Sequence, residues 1–430
     1  MMRVTNSSIY DQSLRDLTTS NDRYMETHRK LAESTDIVTA SDDPVGAGQV
    51  MRYEAVNLVL DQYAENATRA RNSLDYEEVV LDGMTQLLER AKTLLIQVEN
   101  GSYSYGERQS VSDELEMLKL SAADLMNTTD SDGKFIFSGS DARRTAFVLR
   151  PDGQYEFQGD EDRKKIQVSD NVAMAASDSG KTVFEDVWTR YNYTFKQILA
   201  LGETPLNIRT EVHHQEDFDT FMEDNYSAVD PTKNEFVLSI VPGKPAIPEN
   251  EIMIGSPEIP AEPYIYSLTN SEGEVIKTGE YLDGDPINFL GMQVEIPIGT
   301  SEPVTGVISL NKPERGNILN QMTKVIDALR NEELGYYELE SELRDATVSI
   351  RNTQTSIDDA RTELGANLNT LERIASYSLA KQISNTLAQD DIASVDVAKE
   401  ASNLAQQDAA IAASQKLFNK LSRLSLFDTL

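Results

Sequence analysis

The sequence predicts an α + β multidomain protein: N- and C-terminal helices paired in an elongated coiled-coil bundle, with a β-rich domain inserted in the middle. Three observations predict it: where the prolines fall, a seven-residue apolar repeat towards each end, and β-type alternation between the repeats. Of the 14 prolines, one is Pro44 and the other 13 lie between Pro151 and Pro313. Proline removes a backbone donor and clashes with the preceding turn, so helix interiors exclude it. The proline-free stretches 45–150 and 314–430 therefore read as helical arms around a non-helical block.

In the first arm, Tyr10, Leu14, Leu17, Asn21, Tyr24, His28 and Leu31 alternate by four and three residues, which places them on one helical face. A break follows at Thr39–Pro44, where Asp42 and Asp43 are turn formers and Pro44 suits a first helical position. Beyond it Leu60, Ala67, Leu74, Leu81, Leu88 and Leu95 recur every seven residues. Tyr63, Ala70, Glu77, Met84, Ala91 and Val98 interleave, and only Glu77 interrupts the apolar seam. Six heptads mean a coiled-coil helix. At 1.5 Å per residue it is roughly 65 Å long, which calls for long partners.

The second arm supplies one. Ile357, Leu364 and Leu371 repeat by seven, with Leu368 and Ile374 beside them. After an acidic break at Asp390-Asp391, Val397, Leu404, Ile411 and Phe418 are again seven apart. Leu421 and Leu424 flank that stripe, and Leu426, Phe427 and Leu430 keep it apolar to its end. The order of helices and breaks is palindromic, so the expected fold is a hairpin pairing first with last. The predicted domains are 1–40 with 391–430, then 41–140 with 316–390, then the insert 141–315, split into two subdomains near 242–263. The terminal apolar faces have two readings: a two-helix contact within one chain, or packing against other subunits.

The middle block reads as β. Phe135-Ile136-Phe137 reads as a strand leaving the arm. Tyr155-Glu156-Phe157, Ile166-Gln167-Val168 and Phe236–Ile240 alternate or run with β-branched residues. Asp152-Gly153, Glu272-Gly273 and Asp283-Gly284 supply turns. Residues from Tyr191 to Leu201 are expected to form one short helix, and Pro242–Pro263, with six prolines, an extended connector.

Several function classes are excluded by composition. A net charge of −33 with no basic stripe repels phosphate backbones, so no nucleic-acid partner is expected. The absence of cysteine removes disulfides, thiolate nucleophiles and Cys-based metal sites. No apolar run reaches bilayer length, and Met1–Asn6 opens no secretory h-region, so neither membrane insertion nor an ordinary signal peptide is expected. There is no phosphate-binding glycine loop, dinucleotide fingerprint or H-E-x-x-H helix. His213 and His214 point apart as sequence neighbours, and Asp130-Ser131-Asp132-Gly133 lacks the charged first ligand and final glutamate of a calcium loop. No enzyme activity, catalytic residue, metal or cofactor is expected.

Four stretches carry a family resemblance. Ser41-Asp42-Asp43-Pro44-Val45-Gly46-Ala47 resembles the S-D-D-P-A-G-A turn of flagellin-related axial proteins. Phe135–Ser140 with Phe147 resembles their exit strand, and Tyr155–Asp160 the strand and turn that follow. Ser425-Leu426-Phe427-Asp428-Thr429-Leu430 resembles the S-L-F-D-Y-L terminus of the junction proteins between flagellar hook and filament. In the insert, Phe289–Ile296 is similar to an F-x-G-x-Q-V-x-I strand of the family, although Leu31-Ala32-Glu33-Ser34 departs from its L-S-S-G.

The resemblance implies a structural subunit of the bacterial flagellum, secreted by type III export, with a chaperone on the C-terminal helix. It implies self-assembly into a ring on a preceding hook-associated protein, with flagellin adding next. Tyr10, Leu14 and Leu17, together with the stripe from Val397 to Leu430, are then the subunit interface. Leu60, Leu74, Leu81, Leu88, Leu95, Ile357, Leu364 and Leu371 form the core seam, and Asp42, Asp43 and Pro44 the family turn. The alternatives are filament flagellin, or a secreted tip protein or adhesin acting through the insert.

Overall fold

A computed structural model describes residues 6–101, 103–199, 204–243, 263–300 and 303–427, without the side chains of 6, 7, 9, 10 and 421–427. The helices are α1 (Asn6–Glu33), α2 (Pro44–Asn100), α3 (Tyr105–Met126), α4 (Gln215–Asn225), α5 (Ile318–Arg330), α6 (Tyr336–Ala393) and α7 (Val397–Phe427). The first strands are β1 (Phe147–Leu149), β2 (Tyr155–Phe157), β3 (Lys165–Ser169), β4 (Val172–Ala175), β5 (Val187–Trp188), β6 (Tyr193–Ile198) and β7 (Arg209–Val212). Then come β8 (Glu235–Val241), β9 (Tyr264–Thr269), β10 (Val275–Tyr281), β11 (Ile287–Phe289), β12 (Met292–Glu295), β13 (Val304–Leu310) and β14 (Arg315–Gly316). The chain falls into two compact units: Met1–Glu78 with Arg163–Ser177 and Thr362–Leu430, and Val79–Asp162 with Asp178–Arg361.

The first unit holds α1, α7, the start of α2, the end of α6 and the β3–β4 hairpin. Ala67, Ala70 and Leu74 of α2 and Leu364 and Leu371 of α6 bury one apolar cluster, and Val168 and Met174 of the hairpin close it. The hairpin is also tied down by polar contacts: Tyr63 Oη donates to Asp170 (3.0 Å) and Asn66 Nδ2 to the Gln167 carbonyl (2.9 Å). Farther along the same pair, Gln382 donates to Asp61 (2.6 Å) and Asn385 to Asn57 (2.8 Å). These antiparallel cross-links use polar side chains where the apolar repeat has thinned out.

In the second unit α3 and α5 pack on α2 and α6 as a four-helix bundle. Leu81, Leu88 and Leu95 of α2 and Ile357 of α6 join Leu115 of α3 and Leu329 of α5 in its core. α3 is capped at Ser104, where the Glu107 carboxylate accepts from the Ser104 backbone N–H (2.7 Å). The capping bonds from Ser104 hold Glu107 below the usual carboxylate range.

The insert is built on an antiparallel five-stranded sheet in the order β10-β9-β8-β13-β6, with a three-stranded sheet β11-β12-β7 beside it. Phe218, Phe221 and Met222 of α4 fill the space with Phe236, Leu238, Ile308 and Val294. β8 and β9, which flank 242–263, are neighbours in this one sheet rather than parts of two subdomains.

Two expected elements are corrected. Residues 193–198 are strand β6, paired with β13 from Tyr193↔Leu310 to Ile198↔Thr305, rather than a short helix. Alternating Tyr193, Phe195 and Gln197 turn one side to the sheet core, and sheet pairing decides the conformation. The insert's helix is α4 instead. Phe135–Phe137 is no strand but a turn held by isolated bridges, Thr129↔Phe135 and Ser138↔Ser179. Asp130 organises it, accepting from the backbone N–H of Asp132 and of Lys134 (each 2.9 Å).

Candidate assembly interface

The site in question is a helical surface, so its geometry begins with the terminal pair. α1 and α7 pack along each other within the first unit. On α1 the positions of reduced exposure are Ser13, Leu17, Ser20, Tyr24, Thr27 and Leu31, spaced by four and three, with Lys30 beside the last. On α7 they are Glu400, Asn403, Leu404, Gln407, Ile411, Ser414 and Phe418. The expected α1 face is thus corrected by rotation: Leu17, Tyr24 and Leu31 turn inward, but Leu14, Asn21 and His28 are exposed. Small hydroxyl side chains, Ser13, Ser20 and Thr27, take the alternate inward positions.

The seam is therefore half polar. Gln407 Oε1 is buried with no hydrogen-bond partner among the described residues, a loss of roughly 1–3 kcal/mol for such an atom. Meanwhile Leu14 (45% exposed), Met25 (59%), Val397 (58%) and Leu417 (61%) face outward. Tyr10, Leu421, Leu424, Leu426 and Phe427 lie where side chains are not described, and Leu430 lies outside the described residues.

Where the terminal pair meets the rest of its unit, both helical segments break at one level. Ser34 takes a left-handed conformation (φ 56°), and Thr35 bridges Ser394 across the pair. Asp36 N–H donates to the Ala393 carbonyl (2.7 Å), and Thr35 Oγ1 donates to the same oxygen (3.1 Å). Lys30 bonds Asp36 (2.9 Å), whose carboxylate raises the lysine above its ordinary value. Asp390 and Asp391 do not end α6; it runs to Ala393, and the break is fixed by Asp396, which accepts from Lys399 N–H (3.0 Å) as the α7 cap.

The turn into α2 shows why its residue types occur together. Asp42 Oδ2 accepts from Val38 N–H (3.1 Å) and Thr39 N–H (2.7 Å), bonds that hold it below the usual carboxylate range. Asp43 Oδ1 accepts from Val45 N–H (3.0 Å), and Pro44 opens the helix without needing a donor. A side chain at Gly46 would press into the Asp43 carboxylate and come within 2.8 Å of Ile37 Cδ1.

Leu60, Leu74, Leu364 and Leu371 are buried in the first unit, and Leu81, Leu88, Leu95 and Ile357 in the second. Glu77, the interruption of the repeat, is fully buried as well. His28 is exposed and stacks with Tyr24 at 6.2 Å. Among the described residues no group of three or more His, Asp and Glu is placed to hold a metal, and no helix is long and apolar enough to cross a membrane.

The fold thus combines helical arms from both ends of the chain, a capped S-D-D-P turn and a β insert between the arms. Residues 4–142 match the bacterial flagellin N-terminal helical region. The chain is similar to flagellar hook-associated protein 3 of Escherichia coli K12, at 27% identity over 186 residues, 43% of this chain and 58% of that protein. It is similar to the protein of the same name from Salmonella typhimurium, at 25% identity over the same shares. The match thus spans 58% of the length of these curated relatives. Its fold is shared with the crystal structure of flagellar hook-associated protein 3 from Legionella pneumophila (TM-score 0.57, 18% identity, 80% of this chain and 98% of that one).

Proposed function

We propose that the chain is a structural subunit of the bacterial flagellum that forms the junction between hook and filament and the platform on which flagellin assembles. The observation that carries this reading is the terminal pair: a half-polar seam, with four apolar side chains left outward at its edges. Such a pair gains most of its burial from neighbouring subunits. Segments 1–40 and 391–430 are then the assembly surface, 41–140 with 316–390 the supporting arm, and 141–315 the outer domain. The named relatives support the junction assignment over filament flagellin.

On this reading the subunits self-assemble into a ring outside the cell, seated on a preceding hook-associated protein and followed by flagellin. An export chaperone covers the apolar α7 surface beforehand. No step of that role calls for catalysis, and the protein is no enzyme. An in-frame deletion tests it, with cell-surface hooks, secreted flagellin and motility scored together. Hooks lacking filaments, with flagellin lost to the medium, are the expected result. Normal filaments would refute the junction role.

A further inference from the structure

The insert and the helical bundle of the second unit have separate apolar cores, and charged side chains bridge the joint between them. The chain passes between them along a two-strand neck. β5 pairs with β14, Thr189 N–H donates to the Glu314 carbonyl (3.0 Å), and Asn311 N–H donates to the Asn192 carbonyl (3.1 Å).

Beside the neck, the first turns of α6 are two-sided. Leu339, Leu343, Ala346 and Ile350 enter the bundle core. Tyr337, Ser341, Arg344, Val348 and Asn352, at the same three-to-four spacing, line the side that meets the insert. Arg190, with its side chain 7% exposed, donates to Asp345 (2.7 Å) and to Gln215 (2.9 Å). Arg344 holds Glu340 (2.6 Å) and Glu99 (3.3 Å) on the bundle side, and Glu211 (3.4 Å) and the Val212 carbonyl (3.2 Å) on the insert side. The Arg209 guanidinium lies 3.6 Å from the centre of the Tyr337 ring.

Around these contacts the joint is not filled: cavities of about 420 and 340 Å³ flank it. These clefts are open to solvent, so the angle of the joint rests on the neck and on the polar contacts rather than on packed side chains. Without Arg344, Glu99 and Glu340 would face Glu211 across the gap, and like charges there repel.

We infer that Arg190 and Arg344 form a latch that fixes the angle of the β insert on the helical bundle, and that breaking it lets the insert swing on its neck. The inference is independent of the flagellar reading, since it concerns only contacts within one chain.

The chain has no cysteine, so labels can be placed at will. With Met117→Cys on exposed α3 and Val275→Cys on exposed β10, spin-label distances in the full chain report the angle. The otherwise unaltered protein should give one narrow distance. Arg190→Met with Arg344→Met should lose it for a broad distribution, and the nearly isosteric Glu211→Gln with Asp345→Asn should broaden it too. Should the arginine variant fail to fold, the isosteric pair decides. A narrow distance retained in the folded variants, or a broad one already present without them, would overturn the latch.

Discussion

Phe418→Asp separates the terminal pair from the rest of the molecule. Phe418 is half-buried on the inward face of α7, four residues beyond Ser414 in the seam with α1. Truncating a fully buried phenylalanine costs about 3–5 kcal/mol, so a half-buried one loses about 2 kcal/mol. The new carboxylate keeps part of its hydration and adds little. At 1.4 kcal/mol per tenfold, the pair should open about 30-fold more often. Hydrogen exchange over 6–33 and 397–427 should accelerate accordingly. Trp188, the single tryptophan, lies in the other compact unit, so its fluorescence should report an unchanged unfolding midpoint. In cells the variant should fail to enter flagella. Normal incorporation would refute the interface; a lowered Trp188 midpoint would refute the independence of the two units.

Two further predictions concern conformation and charge. Ser34→Gly should stabilise the first unit by about 0.5–1 kcal/mol, because a left-handed serine is strained while glycine is not, less the extra unfolded-state entropy of glycine. Thermal unfolding followed by far-ultraviolet circular dichroism measures it, and an unchanged or lower midpoint would contradict the strain. Glu185 is raised above the ordinary carboxylate value chiefly by burial, partly offset by the bond its Oε2 accepts from Asn317 (2.6 Å). A carboxyl raised on folding binds more protons folded than unfolded, so its contribution is lost as pH rises through the folded value. Glu185→Gln should therefore stabilise the second unit at neutral pH and lose that advantage below the ordinary carboxylate range, as denaturant titrations at both pH values would show.

What could be read from the residues alone depended on how local the signal was. The leucines at 60, 74, 81, 88 and 95 are all buried, because a seven-residue spacing acts within one helix whatever its partners are. The same spacing says nothing about which helices arrive, so α3 and α5 emerged only with the structure. On α1 the apolar residues suggested one face, yet the seam runs a step to its side through Ser13, Ser20 and Thr27. The segment 193–198 became a strand because β13 lay beside it, a pairing between residues over 100 positions apart. The arginines of the joint share no spacing at all: Arg190 and Arg344 converge from different elements, and only folding brings Asp345 and Glu211 to them.

The β3–β4 hairpin bears on timing. Because residues 163–177 belong with Met1–Glu78 and Thr362–Leu430, the first unit is woven from three stretches separated by long loops of chain. The second unit has all its pieces once Arg361 is available. A polypeptide delivered from its N-terminus therefore completes the bundle and insert first and keeps 1–78 waiting for the last stretch. Contacts of such sequence separation are slow to form, since the loop entropy is spent before they reward it. The surface proposed to meet other subunits is thus the last part of the chain to close.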